Sequence, residues 1–129
     1  MRYVLDTHAL VWYLTGDARL GAAAQRILNN GDNQLIIPAI VLAEAKHIAD
    51  RKRIPVPFGE IIQAIVSMPQ CTVLPLDIFT VSRLPAELDI HDSLIVATAL
   101  YCQDFFGEEM IMLTNDLTIT HSGLVQVIW

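Results

Sequence analysis

Short apolar runs alternate along the chain with longer stretches of helical pattern. The runs at 2–5 (RYVL), 34–37 (QLII), 72–75 (TVLP), 110–113 (MIML) and 124–128 (LVQVI) read as strands, apolar on both faces. Strands of that kind belong to a parallel sheet covered by helices. Between them the pattern predicts helices near 8–14, 21–30, 38–52, 57–68, 77–83 and 91–104. Pro38 suits the first turn of the third helix, Pro55 and Pro57 separate the third from the fourth, and Pro69 closes the fourth. Strand–helix alternation implies right-handed crossovers and a three-layer α/β/α domain, here one domain over 1–129 with a five-stranded parallel sheet. The last strand, after the Ser122-Gly123 turn, is a candidate edge.

Composition narrows the class. Hydrophobic residues make up 53% of the 129. That is too apolar for disorder and rather apolar for a small free monomer, so part of the surface is expected to be covered by a second copy or a partner. No apolar run approaches the roughly 20 residues of a membrane span, and Asp6 interrupts any signal-peptide core. Cys71 and Cys102 lack metal or CxxC spacing and read as free thiols of a cytoplasmic protein.

The net charge is −6 and unevenly spread: all eight Lys and Arg lie at or before Arg83. Acidic proteins are not obvious nucleic-acid binders, because phosphate contacts come mostly from Lys and Arg. Four acids bear on that objection. Asp6 follows the first strand and Asp116, in LTND, follows the fourth. Carboxyl ends of strands beside a reversal of strand order are where such folds place their sites. Glu44 has Ile40, Val41 and Ile48 as helical neighbours, with His47 and Arg51 continuing the stripe; Asp92 heads the apolar face of DSLIVATALYCQ. Each acid alone has a plain structural explanation. Asp6 and Asp92 can cap helices, Asp116 can form a turn, and Glu44 can hold its head in solvent. Asp89 can cap the helix that Asp92 opens.

Converging, the four would repel one another unless hard divalent cations such as Mg²⁺ or Mn²⁺ were bound, which favour oxygen ligands. A carboxylate cluster holding such ions hydrolyses phosphodiesters, and the bound cation also draws phosphate to an acidic protein.

Several stretches resemble the PIN domain, in particular the VapC-type toxin nucleases of toxin–antitoxin systems: YVLDTHALVWYL, the alanine-rich helix with Glu44, RIPVP, LPAELDIHDSLIVATAL and LTND. The resemblance covers nearly the whole chain. It implies a five-stranded parallel sheet and a metal-dependent ribonuclease with Asp6, Glu44, Asp92 and Asp116 as metal ligands and catalytic acids. Thr7 and Thr114 match hydroxyl residues beside the first and last acids, and Asp89 matches an extra acid of some relatives. It also implies a single-stranded RNA substrate and an antitoxin whose tail blocks the site, and the excess apolar surface fits a homodimer that also binds that antitoxin. Ser93 and Asn115 depart from the family by standing where many relatives carry a basic residue. Arg51, Lys52 and Arg53 form the only basic run, which either binds RNA phosphates or is a solvated helix end. His8, His91 and His121 are expected to make local polar contacts.

Two other readings remain. A haloacid-dehalogenase-like phosphatase or a receiver domain needs a downstream lysine, and none follows Lys52. A non-catalytic PIN-like module that binds RNA or protein is the alternative from another class.

Overall fold

The computed structural model describes residues 1–129. Five strands form one parallel sheet: β1 (Arg2–Leu5), β2 (Gln34–Pro38), β3 (Cys71–Leu74), β4 (Ile111–Leu113) and β5 (Gln126–Ile128). Their order is β3-β2-β1-β4-β5, and every pairing is parallel. The central β1 and β4 are apolar throughout their middle and buried: Val4, Leu5, Met112 and Leu113 have almost no exposed surface. Val4 aligns with Ile36 on one side and Met112 on the other.

The helices are α1 (Thr7–Thr15), α2 (Ala22–Asn29), α3 (Ala39–Asp50), α4 (Phe58–Val66), α5 (Ile78–Val81), α6 (Ile90–Phe106) and α7 (Leu117–Ser122). The chain moves outward from β1 to β3, then crosses back past β1 to β4. Right-handed crossovers therefore carry α1–α4 and α5–α7 to opposite faces. The reversal between β1 and β4 is the switch point, and Asp6 and Asp116 follow those two strands.

Local chemistry sets the element ends. Gly16, Gly107 and Gly123 close α1, α6 and α7 with φ of 66°, 67° and 68°, a left-handed conformation that costs glycine little. Asp89 caps α6, its side chain accepting from Asp92 N–H at 3.0 Å. The buried face of α3 is Val41, Ala45 and Ala49. Their i, i+4, i+8 spacing puts Glu44 at the border of that face, with Ile40 and Ile48 half-buried beside it. His47 and Arg51, expected on the same stripe, are exposed.

Three further expectations are corrected, and one helix is added. Pro38 ends β2, paired with Leu74, and precedes α3 instead of entering its first turn. As an extended residue at φ −61°, ψ 142°, it starts the helix without supplying an N–H. The sheet's outer strand β3 is not covered on both faces: Thr72 and Val73 are exposed. The helix expected over 77–83 is the single turn α5, and α7 was not anticipated at all. β5 is an edge, as its position after Ser122-Gly123 implied.

Both cysteines are free, Cys102 buried and Cys71 half-buried. Burial pushes the Cys102 thiol up to about 11, so it has little thiolate character. Leu76, Ile78, Phe79, Val81, Ile90, Phe105 and Leu117 leave large apolar side chains exposed. No helix is long and apolar enough to cross a membrane.

Candidate active site

Asp6 is the buried centre of the carboxyl edge of the sheet. Its N–H continues the ladder to Leu113 C=O at 3.1 Å, which fixes it against β4. One carboxylate oxygen accepts from Thr7 N–H at 2.6 Å and the other from the Thr114 hydroxyl at 2.5 Å. An N-cap normally reaches the second or third N–H of its helix. Asp6 reaches only the first residue of α1, so its other oxygen stays with Thr114. Burial pushes its pKa up; the hydrogen bonds from Thr114 and Thr7 oppose that shift, and nearby Glu44 adds to it.

Two threonines tie the acids together. Thr7 gives its N–H to Asp6 and its hydroxyl to Glu44 Oε2 at 2.8 Å. Thr114 gives its hydroxyl to Asp6 and accepts the Asp116 N–H at 3.0 Å. Asp116 then caps α7, accepting from Ile119 N–H at 3.0 Å. The other oxygen of Glu44, Oε1, lies 3.1 Å from His91 Nδ1, so α3 and α6 meet at this edge. Asp92, one residue beyond His91, has no hydrogen-bond partner for its carboxylate.

These acids are close enough to feel one another. Asp92 is pushed up to about 6, first by desolvation and then by the charges of Asp116, Asp89, Asp6 and Glu44 in that order. None of the five is paired with Lys or Arg; those ion pairs lie elsewhere, at Arg2–Glu108, Asp17–Arg19, Lys46–Asp50 and Arg83–Asp104, and His91 is the one basic side chain that meets an acid of the group, Glu44. The donor set therefore suits a hard divalent cation. No three Asp, Glu, His or Cys side chains stand at a common point at metal-ligand distance, however. Asp6, Glu44 and Asp116 each accept hydrogen bonds from local donors, and each carboxylate keeps further acceptor capacity.

The pKa of Asp92 has a sign that can be tested. Its folded value, about 6, exceeds the unfolded value of 3.8. Between these limits the native state binds more protons, so stability falls as pH rises. The penalty is complete above pH 6 and relieved toward pH 3.8. The urea midpoint of metal-free protein is expected to be higher near pH 5 than near pH 7.5. Asp92→Asn should flatten that slope and gain about 1 kcal/mol near neutrality, after allowance for solvent screening.

The two departures from the family pattern occupy different surroundings. Asn115 is exposed and lines the cavity that holds Asp6 and Asp116. Ser93 faces inward, its hydroxyl shared between Pro85 C=O at 3.1 Å and Leu88 C=O at 3.0 Å. Its hydroxyl fastens the loop before α6. In the basic run, Arg53 lines a cavity with His8 and Trp12, whereas Lys52 lines another with Pro55 and Phe58. Arg51 is exposed at the end of α3. His8 lies tilted against Trp12, His91 meets Glu44, and His121 is exposed. Sequence reasoning missed the Glu44–His91 contact; its only signal was a polar residue next to Asp92.

An α/β domain with unpaired acids at the switch point of a parallel sheet falls among the folds that work at strand carboxyl ends. Residues 3–104 match the PIN domain model, and the chain belongs to that family. The matched segment holds Asp6, Glu44 and Asp92; Asp116 lies beyond it. Among solved structures, a chain of VapBC2 from Rickettsia felis, crystallised with a DNA fragment from their promoter, has a TM-score of 0.70 at 14% identity, covering 99% of this chain and 98% of that one. VapBC-1 from nontypeable Haemophilus influenzae gives 0.65 at 17% identity, with 99% and 97% covered. The RRP44 PIN domain of T. brucei gives 0.64 at 10% identity, with 98% and 75% covered. No curated protein matches the sequence.

Proposed function

We propose that this protein is a Mg²⁺- or Mn²⁺-dependent endoribonuclease that cleaves RNA with water as nucleophile, and that it is the cytoplasmic toxin of a toxin–antitoxin pair. PIN domains are generally nucleases, and the fold it shares with VapBC chains supports the toxin reading. The observation that carries the reading is the cluster of Asp6, Glu44, Asp92 and Asp116 at the switch point, with no Lys or Arg to neutralise it.

Asp6 and Asp116 would hold the cation, with Asp92 as a further ligand. When bound, a divalent cation supplies charge neutralisation for the phosphate and acidifies a coordinated water. The chain's own residues do the positioning. Thr114 fixes Asp6 relative to Asp116, and Thr7 fixes Asp6 relative to Glu44. Glu44, held on its other side by His91, would orient the attacking water or join the ligands. The second-copy and antitoxin partners rest on the exposed apolar side chains and on the VapBC likeness.

The test is cleavage of unstructured RNA with Mn²⁺ and with EDTA. Water attack predicts metal-dependent cuts without 2′,3′-cyclic phosphate ends, and cutting that persists when 2′-hydroxyls are methylated. Cyclic ends would assign the attack to the 2′-hydroxyl. RNA binding without any cleavage would favour the non-catalytic module.

A further inference from the structure

Two cavities beside α1 share a wall. One, of about 410 Å³, is lined by Asp6, His8, Trp12 and Asp116 among others. Its neighbour, of about 190 Å³, includes His8, Trp12, Arg19 and Arg53. The His8–Trp12 face, set by their i, i+4 spacing on the helix, thus leads from the carboxylates to two guanidinium groups.

That face is an aromatic cluster with rings at an angle to one another. The rings of His8 and Trp12 are 4.9 Å apart between centroids. Trp129 meets Trp12 edge-on at 5.8 Å, and Gly21 allows the approach: a Cβ there would fall 2.4 Å from the Trp129 carbonyl carbon. Arg19 Cζ lies 4.6 Å from the Trp12 ring centroid. Asp17 holds that guanidinium in a two-point pair, at 3.0 Å and 2.8 Å, and the Arg19 side chain stays 69% exposed. Arg53 is exposed and has no carboxylate partner.

The components divide by chemistry. Aromatic rings and guanidinium planes stack against unpaired bases with little regard to sequence. Arg19, neutralised by Asp17, supplies a fixed plane more than a charge. Arg53 supplies the free positive charge that a backbone phosphate needs. We propose that His8, Trp12, Arg19 and Arg53 form a nucleotide subsite for single-stranded RNA, in which a base near the scissile phosphate stacks against the Trp12–Arg19 pair and an adjoining phosphate meets Arg53. The proposal rests on the ribonuclease reading of the acids. It also gives an acidic protein a grip on RNA outside its carboxylates.

The experiment is Mn²⁺-dependent cleavage of a set of short single-stranded RNAs, each with one abasic position, by wild type, Arg19→Gln, Arg53→Gln and Trp12→Leu. In wild type, one abasic position near the cut should raise KM about tenfold, while distant ones have no effect. In Arg19→Gln and Trp12→Leu, the intact RNA should already show the raised KM, and that position should no longer matter. Arg53→Gln should raise KM for every substrate and weaken its salt dependence. The kcat of Arg19→Gln and Arg53→Gln should be unchanged. A wild-type KM indifferent to every abasic position overturns the subsite, and so does an Arg19→Gln variant with wild-type KM and position sensitivity. In both results cleavage persists and the ribonuclease reading stands. If wild type neither binds nor cuts RNA, both fall. Should Trp12→Leu fail to fold, the exposed Arg19 decides the matter.

Discussion

Asp6→Asn is expected to lower kcat/KM for RNA by about 10³-fold or more, a loss of several kcal/mol of transition-state stabilisation. The substitution removes charge and keeps shape. The amide oxygen can still accept from Thr7 N–H, while the amide nitrogen takes the place of the oxygen facing the Thr114 hydroxyl, which can turn to accept. The loss should therefore fall on activity and not on folding. Cleavage rates with Mn²⁺, measured beside a melting curve of the same sample, check both halves. An Asp6→Asn variant that cuts RNA at the wild-type rate would remove this carboxylate from the chemistry and leave it as the end of β1.

Mn²⁺ itself should raise the melting temperature of wild type by ~10 °C. An ion that binds only the native state, at about a hundred times its Kd, contributes about 2.7 kcal/mol. In a domain of this size each kcal/mol is worth about 3–5 °C. Asp92→Asn should lose most of that response and start from a higher metal-free melting point. Its carboxylate has no hydrogen bond to lose, and its pKa of about 6 records the repulsion that the substitution relieves. The sign of the two effects is opposite, which separates a metal site from general salt stabilisation. No Mn²⁺ response in wild type would mean that the acids do not form a competent metal site, and the binding-module reading would move ahead.

Much of this architecture is legible in the chain because its central strands have no polar face. Runs such as YVL and IML can be buried only between two helical layers, and that fixes a parallel sheet. The outer strand defeats the same logic. Thr72 and Val73 are β-formers by type, yet they lie exposed on an edge, and residue type alone does not report which strand is last. The short α7 escaped notice for another reason. LTITHS is only six residues, rich in β-branched and hydroxyl side chains, and it is started by Asp116, a residue equally at home in a turn.

The candidate site divides in the same way. Asp6 and Asp116 could be placed from sequence because strand ends are predictable and the switch point follows from topology. Thr7 and Thr114 were placed only as neighbours of those acids. In the structure each joins two acids. Glu44's contact with His91 was out of reach, since it depends on how α3 and α6 approach. Glu44 itself lies at the border of its helix's buried face rather than on it. The Trp12–Arg19 pair had a readable clue in the i, i+4 spacing of His8 and Trp12, but not in Arg19, which reaches the ring from the loop beyond Gly16.

The unneutralised acids at the switch point also shape how the protein can be lost. In most enzymes a substitution that ends activity also strains the fold, so survivors of selection against activity include many misfolded chains. Here the charges proposed to serve chemistry are expected to oppose folding, and replacing Asp92 by its amide should leave a firmer molecule. A screen for cells that escape this protein's activity should therefore recover soluble, abundant, silent variants clustered at these few acids. Such variants would retain the surface that any antitoxin recognises, and would compete for it with the working copy.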